Sequence, residues 1–121
     1  MTPFEIGTKL VALCQAGNAA EAITTLYAPN IVSVEALALP GGERESTGIP
    51  ACLEKGKAFR DRHEIHSASI AGPFPHDERF AVVFRYDATV RATGHREEMS
   101  EVALYTVKSG KIVREEFFYG R

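Results

Sequence analysis

The closing segment, Gly110-Lys111-Ile112-Val113-Arg114-Glu115-Glu116-Phe117-Phe118-Tyr119, sets two adjacent carboxylates among apolar and aromatic residues. A strand alternates its side chains, so Val113, Glu115, Phe117 and Tyr119 are expected on one face. Ile112, Arg114, Glu116 and Phe118 then take the other. With both faces covered, one glutamate enters an apolar environment, where an ionised carboxylate is expensive unless partnered. Segment 97–107 adds a third acid, because Met99, Glu101, Ala103 and Tyr105 share a face. Pairing of the two strands through the Ser109-Gly110 turn would bring Glu101 and Glu115 near each other. Two carboxylates in one apolar site cannot both ionise cheaply, so one is expected to keep its proton, and a protonated acid can donate to a developing oxyanion. The alternative is structural, with both acids bonded to backbone or to His66.

Other side chains could join such a site. His66 stands alone at the start of a strand, between Ile65 and Ser67. A structural histidine is the commoner case, but nearby acids would stabilise its charged form, and a His66–glutamate pair could move a proton or anchor a polar ligand group. Tyr86, Tyr105 and Tyr119 could donate to a ligand carbonyl or pack with satisfied hydroxyls. Phe59, Phe80, Phe84, Met99 and Phe117 read as core or, if the interior is hollow, as pocket wall. His63 reads as a favourable helix-end charge, and His76 and His95 as solvent-facing. Metal-ligand spacing, a nucleophile signature and a phosphate-binding glycine pattern are all missing, so no metal and no cofactor is expected.

The elements that must position these residues are marked locally. Thr2-Pro3-Phe4-Glu5 is a capping box with proline at the first helical position, and Gly17 supplies the stop. Asn18, with Glu21 three residues on, caps a second helix with Ala22, Ile23, Leu26 and Tyr27 on its apolar face; Ala28-Pro29 ends it. Residues 31–39 read as a strand, Pro40 through Gly48 as loop, and Pro50 starts a third helix running to about His63. The period then changes to two, with strands expected at 64–71, 79–91, 97–107 and 111–119. Their connectors are Gly72-Pro73-Phe74-Pro75-His76-Asp77, Thr93-Gly94 and Ser109-Gly110.

Helices grouped ahead of a strand meander indicate an α+β fold, with the helices on one face of an antiparallel sheet. A strongly curved sheet closing over helices makes a cone with an interior. In segment 79–91, Phe80, Val82, Phe84 and Tyr86 share the inward face, opposite Arg85, Asp87 and Arg91. Segment 97–107 is apolar-rich on both faces, since Ser100, Val102, Leu104 and Thr106 form the second. The helices can cover one face. A second copy of the chain is the simplest cover for the other, where Ile112 and Phe118 also point, so a homodimer is expected.

The bulk composition excludes several classes. At 121 residues the chain can bury a real core as one domain, and a net charge of −2 gives no electrostatic footprint for nucleic acid. No apolar run approaches a membrane span, and Glu5 and Lys9 interrupt the N-terminus as a signal peptide. Cys14 and Cys52 read as buried thiols in a reducing compartment, so the cytoplasm is the expected address.

Leu26-Tyr27-Ala28-Pro29-Asn30-Ile31-Val32-Ser33-Val34-Glu35, a helix with Pro50, and the closing Gly110-Lys111-Ile112 strand resemble a SnoaL-like domain of the nuclear transport factor 2-like superfamily. That superfamily includes polyketide cyclases, ketosteroid isomerases, scytalone dehydratase and limonene epoxide hydrolase, as well as non-enzymatic binding and transport members. The resemblance covers essentially the whole chain, as a single domain over 1–121. It implies a cystatin-like α+β barrel, with a cone-shaped curved antiparallel sheet packed on three N-terminal helices.

The resemblance also implies roles. The steroid isomerase base stands eight residues after a helix-ending tyrosine, and that count from Tyr27 lands on Glu35, which could abstract a proton next to a carbonyl. It puts His66 on the cavity side of its strand, and Glu115, Phe117 and Tyr119 on the cavity side of the last. The isomerase's two enolate donors fall near Ala103 and near Leu10 or Val11, so neither is present, and the dehydratase and hydrolase site patterns have no match. The implied function is a small cofactor-independent acid/base enzyme of isomerase, cyclase or dehydratase type, acting on a hydrophobic carbonyl compound in a buried pocket. Glu35, His66, Glu101 and Tyr119 would be catalytic, and Phe59, Phe80, Phe84, Tyr86, Met99, Tyr105, Glu115 and Phe117 would line the pocket. The alternatives are a non-catalytic carrier of a small hydrophobic ligand and a dimeric protein-interaction module.

Overall fold

A computed structural model describes residues 1–39 and 41–120. The first helix, α1 (Pro3–Gln15), opens with the expected capping box: Thr2 Oγ1 accepts from the Glu5 N–H at 3.1 Å, and the Thr2 N–H donates to Glu5 Oε1 at 2.9 Å. Helix α2 (Ala19–Leu26) begins after Asn18, whose side chain makes no capping bond, a departure from its expected role. Strand β1 (Tyr27–Val34) follows without a linker. Strand β2 (Glu45–Thr47) lies in a segment read as loop, and pairs antiparallel with β1. Helix α3 (Ile49–Arg62) precedes β3 (His63–His76), β4 (Arg79–Val90), β5 (Arg96–Lys108) and β6 (Lys111–Phe118).

The strands form one curved, unclosed sheet in the order β2-β1-β6-β5-β4-β3, with the helices grouped on one face. The expected antiparallel pairing holds except between β1 and β6, one pair in from the β2 edge, which run parallel. Tyr27 pairs with Ile112 at the start of β1, so this tyrosine belongs to the strand and not to α2. The next paired residue is Val32. Pro29, which has no N–H to give a ladder, falls in the unpaired stretch between them.

Two further irregularities change which way side chains point. In β6, Thr106 pairs with Arg114 but Val107 pairs with Ile112, leaving Val113 as an extra residue. Ile112 is therefore fully buried on the same side as Glu115, not exposed beside Phe118 as strict alternation predicts. In β3 the Pro-containing segment expected to be a connector stays in the sheet, with a register shift between Ala71 and Phe74. β3 is an edge strand, where proline is tolerated, and the turn shrinks to Asp77-Glu78.

The core fills the space between helices and sheet with Ile6, Leu10, Leu26, Ile31, Phe80, Val82 and Ile112. Helix α1 comes so close to β3 that a Cβ on Gly7 would stand 2.7 Å from Pro73 Cβ. Among the described residues no helix is long and apolar enough to cross a membrane.

Candidate functional site

Between the helices and the sheet lies a cavity of about 560 Å³, open to solvent on one side. Phe59, Phe84, Tyr86, Tyr105, Glu115 and Phe117 line it. Phe80 does not line it: it is fully buried in the core, its ring stacked on Tyr105 at 5.0 Å. Met99 also falls outside the wall, half-buried near the start of β5, where it pairs with Tyr86.

Glu115 sits where three strands meet. It lies opposite Tyr105 on β5 and beside Ser33 on β1. The Tyr27 hydroxyl donates to Glu115 Oε1, and Ser33 Oγ donates to Oε2 at 2.6 Å. Lys55 Nζ in turn donates to Ser33 Oγ at 2.6 Å. A hydroxyl has one proton, so the ammonium bond aims the Ser33 proton at Glu115. Both carboxylate oxygens are thereby satisfied, as a buried acid requires. Burial first, then the Glu115 charge, pushes the Tyr27 phenol well above its usual range, so it serves as a donor.

Glu101 does not join this network. It faces Phe84 on β4, whereas Glu115 faces Tyr105, about 13 Å further along β5. The two acids feel each other only through space. Burial raises the Glu101 carboxyl to about 7, with repulsion from Glu35 and Glu115 adding and Lys55 opposing.

Glu35 follows the end of β1, where Ile31 and Ser33 point inward and period two carries the acid onto the cavity wall. Its backbone is clipped to the facing loop, its N–H donating to Arg44 O at 2.8 Å and its carbonyl accepting from Arg44 Nε at 3.0 Å. Its Oε2 lies 3.7 Å from Lys55 Nζ and is buried without a hydrogen-bond partner. Burial raises its pKa, Lys55 opposes the rise and Glu115 adds to it.

Tyr119 is off the cavity wall, beside the backbone of Ala36 and Leu37. Burial and the nearby Glu35 and Glu101 charges raise its phenol.

His66 is elsewhere. The β3 ladder shifts register between Ile65 and Ser67, and this bulge leaves Ile65 and Ala68 on the cavity wall. His66 is exposed, its Nε2 bonded to Thr89 Oγ1 at 2.7 Å, so the expected cavity-side placement is corrected.

Three residues of the site went unassigned in the sequence: Tyr27, Ser33 and Lys55. Lys55 carried a signal, since Cys52, Lys55 and Phe59 follow the three- and four-residue spacing of one helix face. Cys14 and Cys52 also reach the wall, with thiols pushed up to about 11 and about 12 by burial and by Glu115. Such thiols stay protonated and are poor nucleophiles. Among the described residues no group of three or more His, Cys, Asp or Glu is placed to hold a metal ion.

A family model described as a SnoaL-like domain matches residues 1–119. The chain is 39% identical to a Mesorhizobium loti protein provisionally called both a SnoaL-like polyketide cyclase and a carbohydrate phosphatase. The alignment covers 98% of this chain and 100% of that one, with a TM-score of 0.91. A nuclear transport factor 2-like protein from Burkholderia thailandensis is 20% identical, with 99% and 92% coverage and a TM-score of 0.83. A provisionally named isomerase from Bacillus subtilis is 18% identical, with 99% and 90% coverage and a TM-score of 0.77. These last two likenesses concern the fold. No curated protein matches the chain. With its six-stranded curved sheet, three helices and matching family model over nearly all its length, the chain belongs to the SnoaL-like domain family.

Proposed function

We propose that the chain is a small cofactor-independent acid/base enzyme of isomerase, cyclase or dehydratase type, acting on a hydrophobic carbonyl compound held in the cavity. The observation that carries this reading is Glu35 Oε2, a buried carboxylate oxygen on the cavity wall with no hydrogen-bond partner. A base must have a free lone pair, and burial tunes it toward neutrality. Glu115 is saturated by its hydroxyl donors and holds the scaffold. Glu101, titrating at about 7, is the group to return a proton, and Tyr119 flanks the pair. His66 has no part in the reaction.

The test needs no knowledge of the natural substrate. A panel of apolar aromatic ketones is incubated with the protein in deuterated water, and exchange at the carbon beside the carbonyl is followed by NMR. The wild type should exchange at least one member, and Glu35→Gln should slow that exchange on the order of 100-fold or more. A variant within about threefold of wild type removes Glu35 as the base.

A second reading, a non-catalytic carrier of a small hydrophobic ligand, is favoured by the absence of His66 from the wall. It predicts tight binding of such ketones with no exchange above solvent background. The proposal also includes a homodimer through the outer sheet face, where the paired Val102 and Phe118 stand 38% and 52% exposed.

A further inference from the structure

Lys55 and Glu35 leave bonding capacity unused at the cavity wall. An ammonium carries three N–H donors. Ser33 Oγ takes one at 2.6 Å, while Glu35 Oε2 at 3.7 Å is beyond hydrogen-bond reach. Glu35 Oε2 is itself buried and unpartnered. Both residues line the cavity.

The ammonium is held in place. Its Ser33 anchor is fully buried and bonded onward to the buried Glu115, and its charge lies 5.3 Å from the centroid of the Phe117 ring. A donor fixed by the fold needs no reorganisation when charge appears beside it.

We infer that Lys55 is a further catalytic residue, its ammonium taking the negative charge that develops on the carbonyl oxygen of the substrate. This rests on the acid/base reading above. The carbon beside a carbonyl and the carbonyl oxygen are about 2.4 Å apart. A base and a donor that each reach about 2.6–3.2 Å can address those two atoms from positions 3.7 Å apart. Glu35 takes the proton from carbon, the C–H electron pair becomes the C=C bond, and the C=O π pair moves onto oxygen. Lys55 keeps its proton and bonds the enolate, so the charge lost at Glu35 reappears beside a cation. Where a C=C bond adjoins the enolised carbon, the enolate electron pair reaches its far carbon. Return of a proton there from Glu35, or from Glu101 with both acids then re-equilibrating with solvent, closes an isomerisation. Here one cation does the work of the two neutral donors whose expected positions hold Ala103 and Leu10 or Val11. The ligand class is thus an enolisable apolar ketone, or any apolar oxyanion of similar size.

Two probes separate charge recognition from cavity shape: 4-nitrophenol, whose ionised form has its own visible absorption, and uncharged 4-nitrotoluene. Wild type should bind the phenolate in preference to the phenol. Lys55→Met should weaken phenolate binding by about tenfold or more while leaving nitrotoluene binding within about threefold. Lys55→Gln, which keeps an N–H donor without charge, should move the same way and replaces the Met variant if that fails to fold. Glu35→Gln should bind phenolate as well as wild type or better, because a neighbouring negative charge is gone. Failure of the base reading therefore shows in the exchange experiment and leaves these affinities unmoved. The inference is overturned if wild type does not bind the phenolate, or if the Lys55 variants keep both affinities or lose both alike.

Discussion

Burial, opposed only in part by Lys55, holds the Glu101 carboxyl at about 7, against 4.5 for an ordinary glutamate. Folding therefore prefers its protonated form. The stability this group contributes is complete below about pH 4.5 and is lost as pH rises through about 7. Glu101→Gln is neutral throughout, so between pH 5 and 8 it should lose less stability than wild type, by on the order of 3 kcal/mol. Urea denaturation of both proteins across that range checks the sign. Tyr27→Phe makes a different statement. It removes one of two hydroxyls bonded to Glu115 and should cost about 1.5–3 kcal/mol in the same assay at pH 7. Glu35 was reached through the family resemblance, by its spacing from Tyr27, whereas Glu101 and Glu115 were legible as candidate acids because glutamate among apolar residues is visible in the chain itself. Their division of labour was not. Which acid is saturated depends on hydroxyls brought in from β1, and Tyr27 and Glu115 are 88 residues apart.

At the scale of elements, period and punctuation predicted three helices and five of six strands. β2 escaped because three residues in a Gly-rich loop carry too little pattern. The misplacements of Ile112 and His66 share one cause. A bulge inserts a residue into one strand, and every side chain beyond it changes face. Local sequence does not mark such an insertion, since the partner strand decides where the ladder resumes. The close approach of α1 to β3 is tested by Gly7→Ala. Alanine favours a helix over glycine by about 1 kcal/mol. Its Cβ would nevertheless stand 2.7 Å from the rigid Pro73 ring and 3.0 Å from Phe80, and overpacking typically costs about 1–3 kcal/mol. The clash should win, lowering the thermal midpoint, and a raised midpoint would mean that α1 can move away freely.

For the whole molecule, an open sheet covered by helices on one face leaves the other to solvent or to a partner. The proposed homodimer should sediment as a dimer at micromolar concentration, and Phe118→Asp should shift it to monomer without loss of secondary structure. A wild-type monomer under those conditions would refute it. The amino-acid order alone determined the α+β class, with helices grouped ahead of the strand meander, and the inward face of β4, which carries Phe80, Val82, Phe84 and Tyr86. Helical and extended periodicities are local properties of the backbone, readable before any contact forms. Only tertiary structure decided that Lys55 stands between Ser33 and Glu35, that Glu115 is saturated while Glu35 Oε2 is not, and that His66 faces outward. Those outcomes depend on strand register and on helix-to-sheet distance, which arise when segments distant in the chain compete for the same buried partners.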